Sequence, residues 1–288
     1  MKIAWIQDYN PFQHIGMGGE TNDYNMINYG IRKGYDIQVI TPQTFGLANI
    51  KDLDLIIISN CCGFTEEQMK TITQQPHIFF HHDFLLICKY RLYYPAIQKC
   101  FKKCSWWMRK YLSKAKLHVF LSPLHYKLHK QAMGNKVEPH AIVPSAFGSE
   151  LNTFQDNGFA REKNSVLLVN PYTFKSADNA IEYFSKHKGY RVYWCGNTDC
   201  EDKLSGFTKL GHIPYHEMYR IYNRCEYFFH VPKNYEPFGR VMVEAYLSGC
   251  KLITCNRVGA LSYKWFRDKE RLRKEVSEAL KKFWEAIG

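Results

Sequence analysis

The chain has 288 residues, of which 45% are hydrophobic and 16% aromatic. That supports one large core or two modest ones and excludes a generally disordered chain. Its 39 Lys and Arg outnumber its 27 Asp and Glu by 12, and the window from Phe84 to Lys136 holds twelve basic residues and no acidic one, so the excess is local and its single-sign field suits an anionic partner.

The first residues, MKIAWIQDYN, read directly as a strand, without the pattern of a signal peptide. No run approaches the ~18 apolar residues of a membrane span. Ten cysteines include no Cys-x-x-Cys pair; Cys195, Cys225, Cys250 and Cys255 fall in or beside expected core elements, where a thiol acts as a small hydrophobe. A reducing cytoplasm is the expected setting.

Lys2 to Gln7 reads as a strand with Asp8 at its end, and Thr21 to Lys33 as a helix. The loop between them ends Gly16-Met17-Gly18-Gly19-Glu20-Thr21, which allows close approach of a phosphate but lacks the G-x-G-x-x-G spacing of a dinucleotide site. Strands follow at Asp36–Thr41, Asp54–Ser59, His77–His81 and Leu117–Leu121, with helices between. Such alternation implies a parallel sheet, whose ligands gather at the C-terminal ends of its strands. His81-His82-Asp83 ends one strand, and no second ligand cluster supports a metal there.

From Ala96 to Leu112 the apolar residues Ile97, Cys100, Phe101, Cys104, Met108, Tyr111 and Leu112 recur at helical spacing. Lys99, Lys102, Lys103, Trp106, Arg109 and Lys110 take the other side. A basic face with an exposed aromatic suits phosphates with stacked bases, or an anionic lipid surface. The polar stretch Pro144 to Lys163 reads as an interdomain connection. A second alternating set follows: strand Val166–Asn170, helix Ala177–His187, strands Arg191–Cys195 and Phe207–Leu210, helix Tyr215–Asn223, and the buried run Tyr227–Phe229. The last helix spans Arg267 to Ala286.

The stretch Val231 to Tyr263 organises the rest. Pro232 and Pro237 keep the chain extended, a helix runs from about Phe238 until Gly249, and Lys251 to Cys255 forms the next strand. Free N–H groups at the helix start near Gly239 form an anion site suited to a phosphate. Glu236 stands before that helix and Glu244 within it; each taken alone could be a solvated or dipole-complementing carboxylate.

The run Glu-Pro-Phe-Gly-x4-Glu-Ala, followed by a small-residue turn, a strand and Gly, resembles the Glu-x7-Glu signature of family-4 retaining glycosyltransferases. The likeness is specific from Gly211 to Gly259, weaker from Val166 to Gly196 and weakest in the first half. It implies the GT-B fold: two Rossmann-like α/β domains with parallel sheets facing a central cleft, 1–150 for the acceptor and 151–266 for the nucleotide sugar, with 267–288 crossing back. It places Glu236 beside the transferred sugar, Glu244 on the donor ribose, and Phe238 and Gly239 at the donor. Lys175 would hold the diphosphate; Asn170 stands where the family has an arginine, so that half of the phosphate clamp is either missing or supplied elsewhere, with Arg240 the candidate. Gly211-His212-Ile213 resembles the loop against the base, so His212 and Ile213 join the donor set. Gly18 and Gly19 would face the donor, and His82 would touch the sugar or acceptor. The catalytic set is thus His82, Glu236, Lys175 and Arg240. No metal, cofactor or protein partner is implied, and the leaving phosphate would assist attack from the same face. The acceptor is expected to be DNA or a membrane-surface lipid or glycan, with a cytoplasmic enzyme either free or peripheral at a membrane. A nucleotide-sugar epimerase on the same fold and a non-catalytic nucleic-acid-binding module stay open.

Overall fold

The computed structural model describes residues 1–13, 18–88, 110–111 and 114–288. Two compact units divide the chain: Met1–Phe147 with Lys274–Gly288, and Gly148–Arg273. The first holds β1 (Lys2–Ile6), α1 (Gly18–Arg32), β2 (Asp36–Ile40), β3 (Leu55–Ile58), α2 (Glu66–Ile72), β4 (His77–His81), β5 (His118–Phe120), α3 (Pro123–Met133) and β6 (His140–Ile142). Its six strands pair in parallel in the order β2-β1-β3-β4-β5-β6. The second holds β7 (Glu162–Val169), α4 (Ala177–Lys186), β8 (Arg191–Cys195), β9 (Thr208–Gly211), α5 (Met218–Arg224), β10 (Cys225–His230), α6 (Arg240–Leu247) and β11 (Lys251–Thr254). Its five strands are also all parallel, in the order β11-β10-β7-β8-β9. Two helices end the chain, α7 (Lys269–Ser277) and α8 (Ala279–Ile287).

Local chemistry explains where these elements begin. Thr65 and Gln68 cap α2 reciprocally: Gln68 N–H donates to Thr65 Oγ1 at 3.2 Å and Thr65 N–H to Gln68 Oε1 at 2.8 Å. Ser122 Oγ accepts from His125 N–H at 3.1 Å, and Pro123 opens α3 where no N–H is needed. Strands β3 (LIII) and β4 (HIFFH) are buried at every residue, the pattern of a parallel sheet covered on both faces.

In the first unit Trp5 is fully buried, edge-on to Phe80 at 6.2 Å and 5.8 Å from Phe283 of α8. Trp284 Nε1 donates to the Met26 carbonyl at 3.0 Å, fixing α8 against α1. The second unit packs Trp194, Phe184, Phe229, Val166 and Leu168 into its own core.

Several elements depart from the sequence expectation. Between β2 and β3 the expected helix is replaced by two single 3-10 turns, Phe45–Leu47 and Ile50–Asp52. Helix α1 starts at Gly18 rather than Thr21, so Gly18 and Gly19 form its first turn, where N–H groups lack helical partners anyway. Strand β7 starts at Glu162, inside the stretch read as a connection. Strand β6, three residues between Pro139 and Pro144, was too short to register. The terminal helix is two helices, separated at Glu278; the Lys274 carbonyl at the join accepts both from Ser277 Oγ at 2.8 Å and from Glu278 N–H at 2.9 Å. Of the helix expected over 96–112, only Lys110 and Tyr111 are described. No helix among the described residues is long and apolar enough to cross a membrane.

Gly30 on α1 is where α8 comes closest. A methyl there would run into the Trp284 ring and lie 2.6 Å from Ile37 Cδ1. Gly30→Ala gains about 1 kcal/mol in helix propensity, but overpacking costs about 1–3 kcal/mol. A lowered urea midpoint is expected; a raised one would mean that the α1–α8 seam yields freely.

Candidate functional site

In the second unit, β10 ends in His230 and the chain runs on to Gly239 before α6 begins. Backbone bonds hold this connection in place. Lys233 N–H donates to the Lys175 carbonyl at 2.7 Å, and Glu236 N–H to the Arg257 carbonyl at 2.9 Å. Gly259 and Ala260 N–H groups donate to the carbonyls of Glu236 and Phe238, each at 2.9 Å. Glu236 thereby forms an isolated parallel bridge with Val258. Gly239 caps α6 in the left-handed region at φ 90°, and a Cβ there would lie 2.5 Å from Val258 Cγ1 and 3.3 Å from Glu236 Oε2. Only glycine meets both demands.

Glu236 is partly buried, and its Oε2 lies 2.7 Å from His230 Nε2. Burial alone would push its carboxyl up, but the His230 charge and hydrogen bond, with Lys175 adding to them, outweigh that and hold it at about 2. Its Oε1 has no hydrogen-bond partner among the described residues. Lys175 lies in the loop after β7, half-buried, with its ammonium 5.9 Å from the centre of the Tyr172 ring. It forms no ion pair among the described residues, so its charge is available to an anion. Two residues before Glu236, Asn234 is 3% exposed, and neither amide atom has a hydrogen-bond partner among the described residues.

Glu244 faces a different set of partners. It is 1% exposed; Tyr215 Oη donates to its Oε1 at 2.9 Å and Tyr222 Oη to its Oε2 at 3.3 Å. Burial raises its carboxyl above the ordinary value despite Arg240 and both tyrosines. Arg240, expected as a phosphate cation, has a buried guanidinium turned to Glu150 Oε1 at 3.2 Å, Tyr215 Oη at 3.3 Å and Glu244 Oε1 at 3.9 Å. The two glutamates therefore sit in separate networks: Glu236 with His230 and Lys175, Glu244 with Arg240 and the tyrosines.

Phe238 is 2% exposed and serves as a core residue of the connection. His212, exposed, and Ile213, partly buried, follow β9 in the loop that leads to Tyr215. Asn170 adopts φ 46°, and its Oδ1 accepts from Asn197 N–H at 2.8 Å, bracing the ends of β7 and β8. The sequence reading missed His230, Tyr215 and Tyr222. His230 carried a signal, since it ends a buried strand six residues before Glu236; the tyrosines carried none.

In the first unit the run His81-His82-Asp83 divides three ways. His81 turns into the core, where its Nε2 lies 3.0 Å from His118 Nδ1 and burial pushes its pKa well down. His82 Nε2 lies 2.7 Å from Asp23 Oδ1, and the ring is covered. Asp83 Oδ1 accepts from Leu85 N–H at 2.7 Å. Gly19 packs against His82: a Cβ there would lie 3.8 Å from His82 Cγ. Asp8 accepts from Cys62 and Gly63 N–H groups at 3.0 and 2.8 Å, holding the loop after β3. Among the acceptor candidates, Lys99, Lys102, Lys103, Trp106 and Arg109 lie outside the described residues. Lys110 is exposed, its ammonium 5.8 Å from the centre of the Tyr111 ring. Among the described residues no group of three or more His, Cys, Asp or Glu could hold a metal ion.

The His230–Glu236 pair sets a pH dependence. A carboxyl depressed from 4.5 to about 2 contributes stability that is fully present above about pH 4.5 and is lost as pH falls towards 2. Carbon-detected NMR titration should place Glu236 near 2, and His230→Leu should move it upward because burial then faces less opposition. An ordinary midpoint in the unmodified chain would contradict the ion pair.

No family model and no curated protein matches this sequence. Solved structures do match it in fold. The Anabaena protein HepE, solved with UDP and glucose, is 15% identical with a TM-score of 0.62, covering 99% of this chain and 95% of its own. Sucrose-phosphate synthase from Thermosynechococcus elongatus is 15% identical with a TM-score of 0.69, covering 99% and 96%. AviGT4, a glycosyltransferase involved in avilamycin A biosynthesis, is 12% identical with a TM-score of 0.54, covering 98% and 92%. At these identities the likeness establishes the fold: α/β, with two parallel sheets, as in GT-B glycosyltransferases.

Proposed function

We propose that this protein is a retaining, metal-independent glycosyltransferase that uses a nucleotide-diphosphate sugar. The observation that carries the reading is Glu236: a carboxylate kept charged by His230, with one oxygen open, beside Lys175 and the N-terminus of α6. Such a group stabilises positive charge developing on a departing sugar, while a cation and helix N–H groups stabilise the leaving diphosphate. One neighbour in fold, HepE, was solved both with UDP and with UDP-glucose, which supports a uridine nucleotide as the first donor to test.

In this reading Lys175 holds the diphosphate, Glu236 faces the sugar, and the orphaned amide of Asn234 has hydrogen-bonding capacity for sugar hydroxyls. Glu244 receives the ribose hydroxyls on lone pairs not used by Tyr215 and Tyr222. Arg240 acts through Glu244, orienting that carboxylate and opposing the neutralisation that burial favours. The leaving phosphate assists attack from the same face, so no enzyme nucleophile is required. The acceptor is anionic or lies on an anionic surface, DNA or a membrane-surface lipid or glycan, drawn by the twelve basic residues of the acid-free window.

Calorimetry with UDP-glucose and UDP tests the donor site. Lys175→Ala should weaken UDP binding by about 1.5–3 kcal/mol, the worth of a hydrogen bond to a charged group, without lowering the thermal midpoint of the free protein. Transfer should survive chelation and give product of the donor's anomeric configuration. Equal UDP affinity in Lys175→Ala, or activity restored only by a divalent ion, would contradict this assignment.

A further inference from the structure

The first unit contains a polar constellation that the sequence reading did not identify. Gln7 follows β1, Ser59 follows β3 and His82 follows β4, so three neighbouring parallel strands end on one polar centre. That centre is Asp23 of α1, fully buried. Its Oδ2 accepts from the Gln7 amide and from Ser59 Oγ at 2.6 Å, while Oδ1 faces His82 Nε2 at 2.7 Å. Three polar groups thus converge on this one side chain and occupy both of its oxygens. The other imidazole nitrogen, His82 Nδ1, is buried without a hydrogen-bond partner among the described residues.

We propose that Asp23 is the positioning residue for His82: it fixes Nε2 so that Nδ1–H is the one donor the imidazole offers to a hydroxyl oxygen of the substrate. The proposal rests on the glycosyltransferase reading and deepens it by giving His82 a fixed orientation and a donor's role. The surrounding charges agree. Burial opposes a charged ring, but Asp23, then Glu20 on α1 and the adjacent Asp83, raise the His82 pKa above its ordinary value. The histidines behind it, His81 on β4 and His125 on α3, are held uncharged by burial and offer little repulsion. A protonated His82 gives a hydrogen bond and takes no proton, so no net proton transfer is assigned to it. The strand ends also explain the precision of the arrangement, because groups mounted on sheet termini hold geometry better than groups on free loops.

The test is nitrogen-resolved NMR of the imidazoles in the full chain, unmodified and with Asp23→Asn. In the unmodified chain His82 should titrate above the ordinary histidine value of ~6.5, with both ring nitrogens protonated below that midpoint. Asp23→Asn should lower its proton affinity at least tenfold, and the pH optimum of UDP-glucose turnover should move down with it while the donor KM stays unchanged. A His82 midpoint at or below the ordinary value, or one unaltered by Asp23→Asn, would overturn the proposal. If Asp23→Asn does not fold, the midpoint of the unmodified chain decides. Absence of UDP-glucose turnover in the unmodified chain would count against the donor assignment, and the free-protein titration would still judge Asp23.

Discussion

A carboxylate taken partly out of water needs compensating donors, or it neutralises itself. Glu236 meets that constraint through His230, 2.7 Å away, and much of the local architecture keeps the two together. His230 is fixed as the last residue of β10, and Glu236 is fixed by backbone bonds on both its N–H and its carbonyl. Gly239 must be glycine because the connection turns back so tightly that a side chain would meet Val258 and the Glu236 carboxylate. The charge of Glu236, its open oxygen and the start of α6 are thus consequences of one loop geometry.

The first unit uses the same chemistry with the roles shifted. There the carboxylate, Asp23, is wholly buried and the histidine lies outermost of the pair, whereas in the second unit the histidine is the more deeply buried partner. Both pairs stand where parallel strands end, at β4 in one sheet and β10 in the other. Strand ends of parallel sheets leave polar backbone and side-chain groups to converge, which is why such edges gather ligands. Glu244 and Arg240 show another solution: a buried arginine is retained because two glutamates and a tyrosine hydroxyl surround it. Removing one member of such a set leaves the others uncompensated, a larger penalty than the set's own net contribution.

Much of the fold was legible because its signals are local. Short apolar runs such as Leu55–Ile58 and Ile78–Phe80 read as buried strands, and β3 and β4 are buried at every residue. The Glu236–Gly239 turn was legible because its residue types are dictated by backbone geometry. Partnership was not. Nothing in the spacing of Glu244 announces Tyr215 and Tyr222, since one lies before α5 and the other on it. Asp23 was hidden for the same reason: on α1 it reads as a solvated helix residue, and only the sheet order brings Gln7, Ser59 and His82 to it. The break between α7 and α8 escaped because it leaves the apolar periodicity intact.

The central claim is that the second unit binds a nucleotide-diphosphate sugar around Glu236. Hydrogen–deuterium exchange of the full chain with and without saturating UDP-glucose measures this directly. The account predicts slowed exchange in the amides of 173–176, 234–241 and 257–260, the segments that the backbone bonds of this loop tie together. Exchange unchanged in all three segments, at a UDP-glucose concentration that slows exchange elsewhere in the chain, would contradict it.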